Sequence, residues 1–134
     1  MKNQKGFTII ELMVVTLIMG LLMALSVAAI TGAKKSARDA NRKADLEQIR
    51  SALEMYKSDN QEYPTTAQGL DELEDEGYIS ELPSDPSGYT YYYNRTSESV
   101  YQLCGYLETG GDDNCGGNCG APGGAVCNYE VANP

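Results

Sequence analysis

The chain is 134 residues long, with 10 Lys and Arg against 19 Asp and Glu and a formal net charge of −9. That length holds one small domain and one extra element. There is no His and no Trp, which excludes a Ser-His-Asp triad, a Cys-His dyad and histidine-containing zinc sites. The acidic balance argues against nucleic acid as a direct partner, because phosphate binding needs a basic surface.

The charge is unevenly placed. Residues 1–50 hold eight of the ten basic residues, whereas from Ser51 onward 15 acidic residues face only Lys57 and Arg95, a local balance of −13. The chain reads as a basic-necked anchor carrying an acidic head, and not as an enzyme.

From Phe7 to Ile30 the sequence runs FTIIELMVVTLIMGLLMALSVAAI with a single charge, Glu11. Leu12 to Ile30 gives 19 uncharged residues, long enough to cross a bilayer as a helix. A cleaved secretory signal would need a shorter apolar core followed by a small-x-small site. A carboxylate near the start of a membrane helix costs roughly 2.5–3.5 kcal/mol on insertion scales, and such groups are usually paired and functional. If the chain were cut after Gly6, Phe7 would gain a free α-amine, and a neighbouring subunit's amine could meet Glu11 and neutralise both charges. The plainer alternative is a single-pass anchor that tolerates an interfacial Glu.

No Pro or Gly interrupts Ala33 to Asn60. Leu46, Ile49, Leu53 and Tyr56 fall at helical spacing as one apolar stripe, and Ala37, Ala40 and Ala44 extend a small-residue surface upstream. One helix from Phe7 to about Ser58 would be roughly 78 Å long.

Residues 59–134 form the expected head. Thr66 is a candidate N-cap for a short helix from Ala67 to Glu76, with Leu70 and Leu73 inward and Gly77 ending it. Pro83 and Pro86 bracket a turn. Tyr89, Tyr91 and Tyr93, alternating with Thr90 and Tyr92, predict one strand; Tyr101, Leu103 and Leu107 predict a second; Val126 to Val131 predicts a third. The fold class is α+β, a long N-terminal helix on a small antiparallel sheet. Asn94-Arg95-Thr96 fits a glycosylation acceptor, or simply a turn between the first two strands. The tyrosine alternation reflects sheet packing rather than electron conduction.

Cys104, Cys115, Cys119 and Cys127 lack paired CxxC spacing and have no His to complete a mixed zinc site. They read as two disulfides in an oxidising compartment, supplementing a small core. Three pairings exist; the strand positions of Cys104 and Cys127 favour Cys104–Cys127 enclosing Cys115–Cys119. Asp112, Asp113, Asn114 and Asn118 crowd oxygen donors of the type calcium takes, although the spacing is not an EF-hand and a solvated disulfide loop is the alternative.

KGFTIIELMVVTLIMGLL, with Lys2 and Lys5 before Gly6, Phe7 and Glu11, resembles the prepilin leader of type IV pilins and type II secretion pseudopilins. YPTTAQGLDEL, GYISELP and DPSGY are similar to the head of major pseudopilins of type II secretion. Together these blocks cover roughly two-thirds of the chain, judged against a typical single domain. The resemblance implies a pilin-like fold divided as leader peptide 1–6, membrane or filament-core helix 7–30, amphipathic continuation 31–58 and head 59–134. It implies cleavage between Gly6 and Phe7 by a cytoplasmic prepilin peptidase, N-methylation of Phe7, and contact of Glu11 with the N-terminus of an adjacent subunit. It also implies calcium in the C-terminal head, with no cofactor otherwise required.

The chain departs from the pattern in two places. Many members carry Pro near the position of Ala28, whereas here Gly20 is the helix-weakening residue of the span. The Gly-rich Cys104–Cys127 loop is more usual in type IV pilins than in major pseudopilins. Basic residues after the span (Lys34, Lys35, Arg38, Arg42, Lys43) oppose the positive-inside rule, but the disulfide-type tail and the cytoplasmic cut site place the N-terminus inside.

The leading expectation is a non-enzymatic subunit of a type IV pilus-like filament serving adhesion, motility or DNA uptake. The alternatives are a major pseudopilin of type II secretion, or a membrane-tethered binding domain that never polymerises. Implied partners are further copies of itself in a helical homopolymer, the prepilin peptidase, an inner-membrane assembly platform with its ATPase, minor pilins or pseudopilins, and membrane lipid before assembly. The implied location is the inner membrane, then a periplasmic or extracellular filament.

Overall fold

The computed structural model describes residues 6–111 and 115–131, apart from the side chain of Ala28. It divides into two compact units, Met1–Lys35 and Ser36–Pro134. Helix α1 runs Ile9–Asn60, 52 residues. Strand β1 (Tyr92–Ser97), β2 (Val100–Gly105) and β3 (Tyr129–Val131) form an antiparallel sheet in that order. A short helix α2 covers Asp71–Asp75.

In the first unit every described large apolar side chain from Phe7 to Ile30 is exposed. This part of α1 is long and apolar enough to cross a membrane, by length and composition. A surface of that kind needs lipid or other protein around it.

In the second unit the apolar stripe does what its period requires. Leu46, Ile49 and Leu53 are fully buried and Tyr56 nearly so. They pack with Tyr63, Leu70, Leu73, Ile79, Tyr93, Tyr101, Leu103 and Val131 into one core. The helix ends where Gln61 takes a left-handed φ of 64° and donates its N–H to Lys57 O at 2.8 Å. Ala37, Ala40 and Ala44 are exposed, because the inward face is instead continued upstream by Asp39 and Arg42.

The short helix starts later than its sequence signals. Thr65 and Gln68 close a turn on themselves, with Thr65 Oγ1 donating to Gln68 Oε1 at 2.6 Å, and Gly69 follows at φ 74°. Thr66, the expected cap, accepts from Arg95 N–H at 2.9 Å instead, tying this turn to β1.

The strands are also displaced. Residues 89–91 stay outside the sheet because Thr90 N–H donates to Cys119 O at 2.9 Å. β1 therefore continues through Asn94-Arg95-Thr96, which lies in the strand, and the chain reverses at Glu98 and Ser99. β2 stops at Gly105, short of Leu107, where a Cβ would meet the Leu46 side chain at 3.0 Å. Val126 and Cys127 pair with the loop before them (Cys127 N–H to Gly117 O, 3.0 Å), and Asn128 N–H donates to Gly105 O at 3.1 Å, leaving Tyr129–Val131 as β3.

The disulfides are Cys104–Cys115 and Cys119–Cys127, not the nested pair expected. Cys104 sits in β2 with its partner in the loop that follows, whereas Cys127 precedes β3 and closes a separate eight-residue separation. The four cysteines form a second small core, with Tyr92 and Tyr106 packed against it.

Candidate assembly elements: the helix N-terminus and a buried ion cluster

Two constellations carry chemistry. The first opens α1. Thr8 is the N-cap and Glu11 the third helical residue. Glu11 N–H donates to Thr8 Oγ1 at 3.3 Å, while Glu11 Oε2 accepts from Thr8 N–H at 3.2 Å and from Thr8 Oγ1 at 3.1 Å. This is a reciprocal capping box, and it satisfies donors that a helix start otherwise leaves open. Thr-x-x-Glu before an apolar run is its sequence signature, legible at Thr8 but overlooked when Glu11 is read through its charge alone.

Both bonds use Oε2. Among the described residues Oε1 accepts none, and no cation pairs with Glu11. The carboxylate can thus cap its own helix and still accept a cationic donor from another chain. Gly6 and Phe7 precede it, both exposed.

The second constellation lies within the second unit and surrounds Arg42, whose side chain is wholly buried. Its guanidinium donates to Asp85 through Nε, to Asp39 Oδ1 at 2.7 Å, to Glu108 Oε1 at 3.0 Å and to Ser87 Oγ at 3.1 Å. The Tyr89 ring lies 4.9 Å from it. Arg38 grips the same Glu108 with two 2.6 Å bonds. Asp39 in turn accepts from Glu108 N–H, Thr109 N–H and Thr109 Oγ1 at 2.7–2.9 Å. Asp85 accepts from Ser87 N–H at 2.7 Å and Tyr89 N–H at 3.3 Å, shaping the Pro86 turn. One arginine on α1 therefore clamps the 85–89 turn and the 107–109 segment to the helix.

The Glu108 carboxyl is lowered to about 2 by its bonds from Arg38, with burial opposing and Arg42 adding to the effect. Burial works against the Asp39 and Asp85 carboxylates, yet it is outweighed: at Asp39 by bonds from Thr109, the Glu108 backbone and Arg42, and at Asp85 by bonds from Arg42, Ser87 and Tyr89. Both are held below the ordinary carboxylate value. Depressed folded values mean that the unfolded chain takes up protons first. This stabilisation is whole above about pH 4, near the unfolded carboxylate values, and drains away as pH falls toward about 2, the folded value of Glu108. Denaturant midpoints read by tyrosine fluorescence should fall across that window, and Glu108→Gln should flatten the fall. A midpoint unchanged through the window would contradict this.

Of the calcium candidates, Asp112, Asp113 and Asn114 lie outside the described residues. Asn118 Oδ1 is engaged by Gly120 N–H at 2.8 Å. Among the described residues no group of three His, Cys, Asp or Glu side chains is arranged to hold a metal.

The comparisons with known proteins now bear on these elements. A family model described as "Type II secretion system (T2SS), protein G" matches residues 29–122. A second, "Prokaryotic N-terminal methylation motif", matches residues 1–27. Among curated relatives, type II secretion system core protein G of Aeromonas hydrophila is 42% identical over 103 residues, covering 67% of this chain and 72% of the relative. The Pseudomonas aeruginosa core protein G is 37% identical over 130 residues (84% and 92%). The Escherichia coli (strain K12) core protein G is 39% identical over 128 residues (85% and 86%). No solved structure matches. The long helix with its exposed apolar start, the small antiparallel sheet and these matches agree, and the chain belongs to the type II secretion system protein G family of pseudopilins.

Proposed function

We propose that this chain is the repeating, non-enzymatic subunit of a type II secretion pseudopilus. The match to the protein G family across residues 29–122 carries this reading and favours it over the type IV pilus expected first. The methylation motif over residues 1–27 supports cleavage between Gly6 and Phe7 and methylation of the new Phe7 amine. The chain waits in the inner membrane with its acidic head on the periplasmic side. It joins the filament when the Phe7 amine of one subunit meets Glu11 of the next. Repeating one heterologous contact gives an open helix. Partners of this scheme are other copies, a prepilin peptidase, minor pseudopilins, and an assembly platform whose ATPase supplies the work. Calcium in the C-terminal head, which the family resemblance implies, belongs to this scheme as a second support beside the two disulfides of that segment.

Glu11→Gln separates the two jobs of that side chain. Gln keeps the capping box but loses the charge. If the amine contact drives assembly, filament yield should fall about tenfold to a hundredfold, from roughly 1.5–3 kcal/mol for a charged hydrogen bond, with the inserted protein level unchanged. Wild-type assembly by Glu11→Gln would leave Glu11 as a helix cap alone and remove the proposed contact.

A further inference from the structure

Among the described residues six of the eight cations are engaged within their own chain. From Arg38 onward each has a partner in its own chain: Arg38 holds Glu108, Arg42 holds its carboxylates, and Lys43 lies over the Tyr129 ring. Arg50 pairs with Glu47, Lys57 with the Tyr63 ring and hydroxyl, and Arg95 with Glu62. Among the described residues Lys34 and Lys35 are the exception. Both are exposed, and neither makes an ion pair, hydrogen bond or ring contact.

The head has the opposite surplus. Residues 71–81, which contain α2, carry six carboxylates and no cation. Asp71, Asp75, Glu76 and Glu81 are exposed and form no ion pair among the described residues. In a polymer of one chain, acidic heads lie side by side and repel unless something cationic falls between them. The unused cations of the same chain are the matching complement, present once per subunit.

We propose that in the filament the acidic α2 turn of one subunit docks on Lys34 and Lys35 of a neighbouring subunit. The contact rests on the filament reading above and adds a second, outer interface to the Phe7–Glu11 contact. It is heterologous, so it repeats along an open helix, and it weakens with ionic strength as exposed pairs do.

Charge reversal and its compensation test it, in full chains expressed with the secretion machinery and scored as filaments per inserted subunit. Lys34→Glu with Lys35→Glu should lower filament yield by about tenfold or more, equivalent to ~1.4 kcal/mol per subunit added. Asp75→Lys with Glu76→Lys should do the same. Combining all four substitutions in one chain should bring the yield back to within about twofold of wild type, since attraction is restored with its signs exchanged. Filaments indifferent to both reversals would overturn this contact alone. A loss that the four-fold variant does not repair, accompanied by less inserted protein, would overturn it in favour of anionic lipid headgroups as the partner of these lysines. A wild-type chain that makes no filament in the same cells would remove the filament reading and this contact with it.

Discussion

Arg42→Ala should destabilise the head by about 3–5 kcal/mol, the range found when one partner of a buried ion pair is removed. The substitution leaves Asp39, Asp85 and Glu108 facing one another without their shared donor, and it opens a void where the whole side chain was buried. Against the 5–15 kcal/mol typical of a domain, that is a large fraction. With ten tyrosines and no tryptophan, tyrosine fluorescence during denaturant unfolding of the full chain in detergent reads it directly. Adding Asp85→Ala to Arg42→Ala should cost much less than the sum of the two single changes, because the second removes a group already stranded. Additive losses would mean that the pair contributes through packing and not through its charges.

Losing the disulfides should have an effect of similar size. Closing loops with sequence separations of 11 and 8 residues contributes about 2.5–3 kcal/mol each in the chain-entropy account. The loss does not stay local. The segment between Cys104 and Cys115 includes Leu107, Glu108 and Thr109, which bond to Asn128, Arg38, Arg42 and Asp39. Reduction should therefore loosen the clamp on Arg42 and shrink the acid dependence along with the denaturant midpoint. Chelators separate the two supports of this segment: a midpoint unchanged by chelator leaves the disulfides as its staple, and a lowered one adds a calcium ion to them. The pairing itself is read by single substitutions: in Cys104→Ser the thiol that becomes labelled should be Cys115. Labelling of Cys127 would restore the nested arrangement.

These two regions also show where sequence reasoning succeeds and fails. Leu46, Ile49, Leu53 and Tyr56 are legible because burying one face of a helix imposes a period. Asp39 and Arg42 occupy the same face one turn earlier, and a search for apolar residues passes over them. The signal was their position in the stripe, not their chemistry. The strand boundaries moved because Thr90, Val126 and Cys127 give their backbone groups to the disulfide loop, a competition between distant segments that local alternation does not record. Cysteine pairing has the same character, since spacing allows three solutions and only the path of the chain selects one. At the N-terminus the motif residues were legible as a pattern, and the capping box gives Glu11 a local role beside the proposed intermolecular one.

The most direct test of the whole account is the intact mass of the chain recovered from cells that express it with the secretion machinery. Membrane and surface-sheared fractions should both be weighed. The mature chain should lack Met1–Gly6 and carry one methyl group on the Phe7 amine, and it should remain with the cell envelope as a secretion pseudopilus would. A full-length, unmethylated chain in either fraction would contradict the filament account and leave a tethered domain with an acidic head.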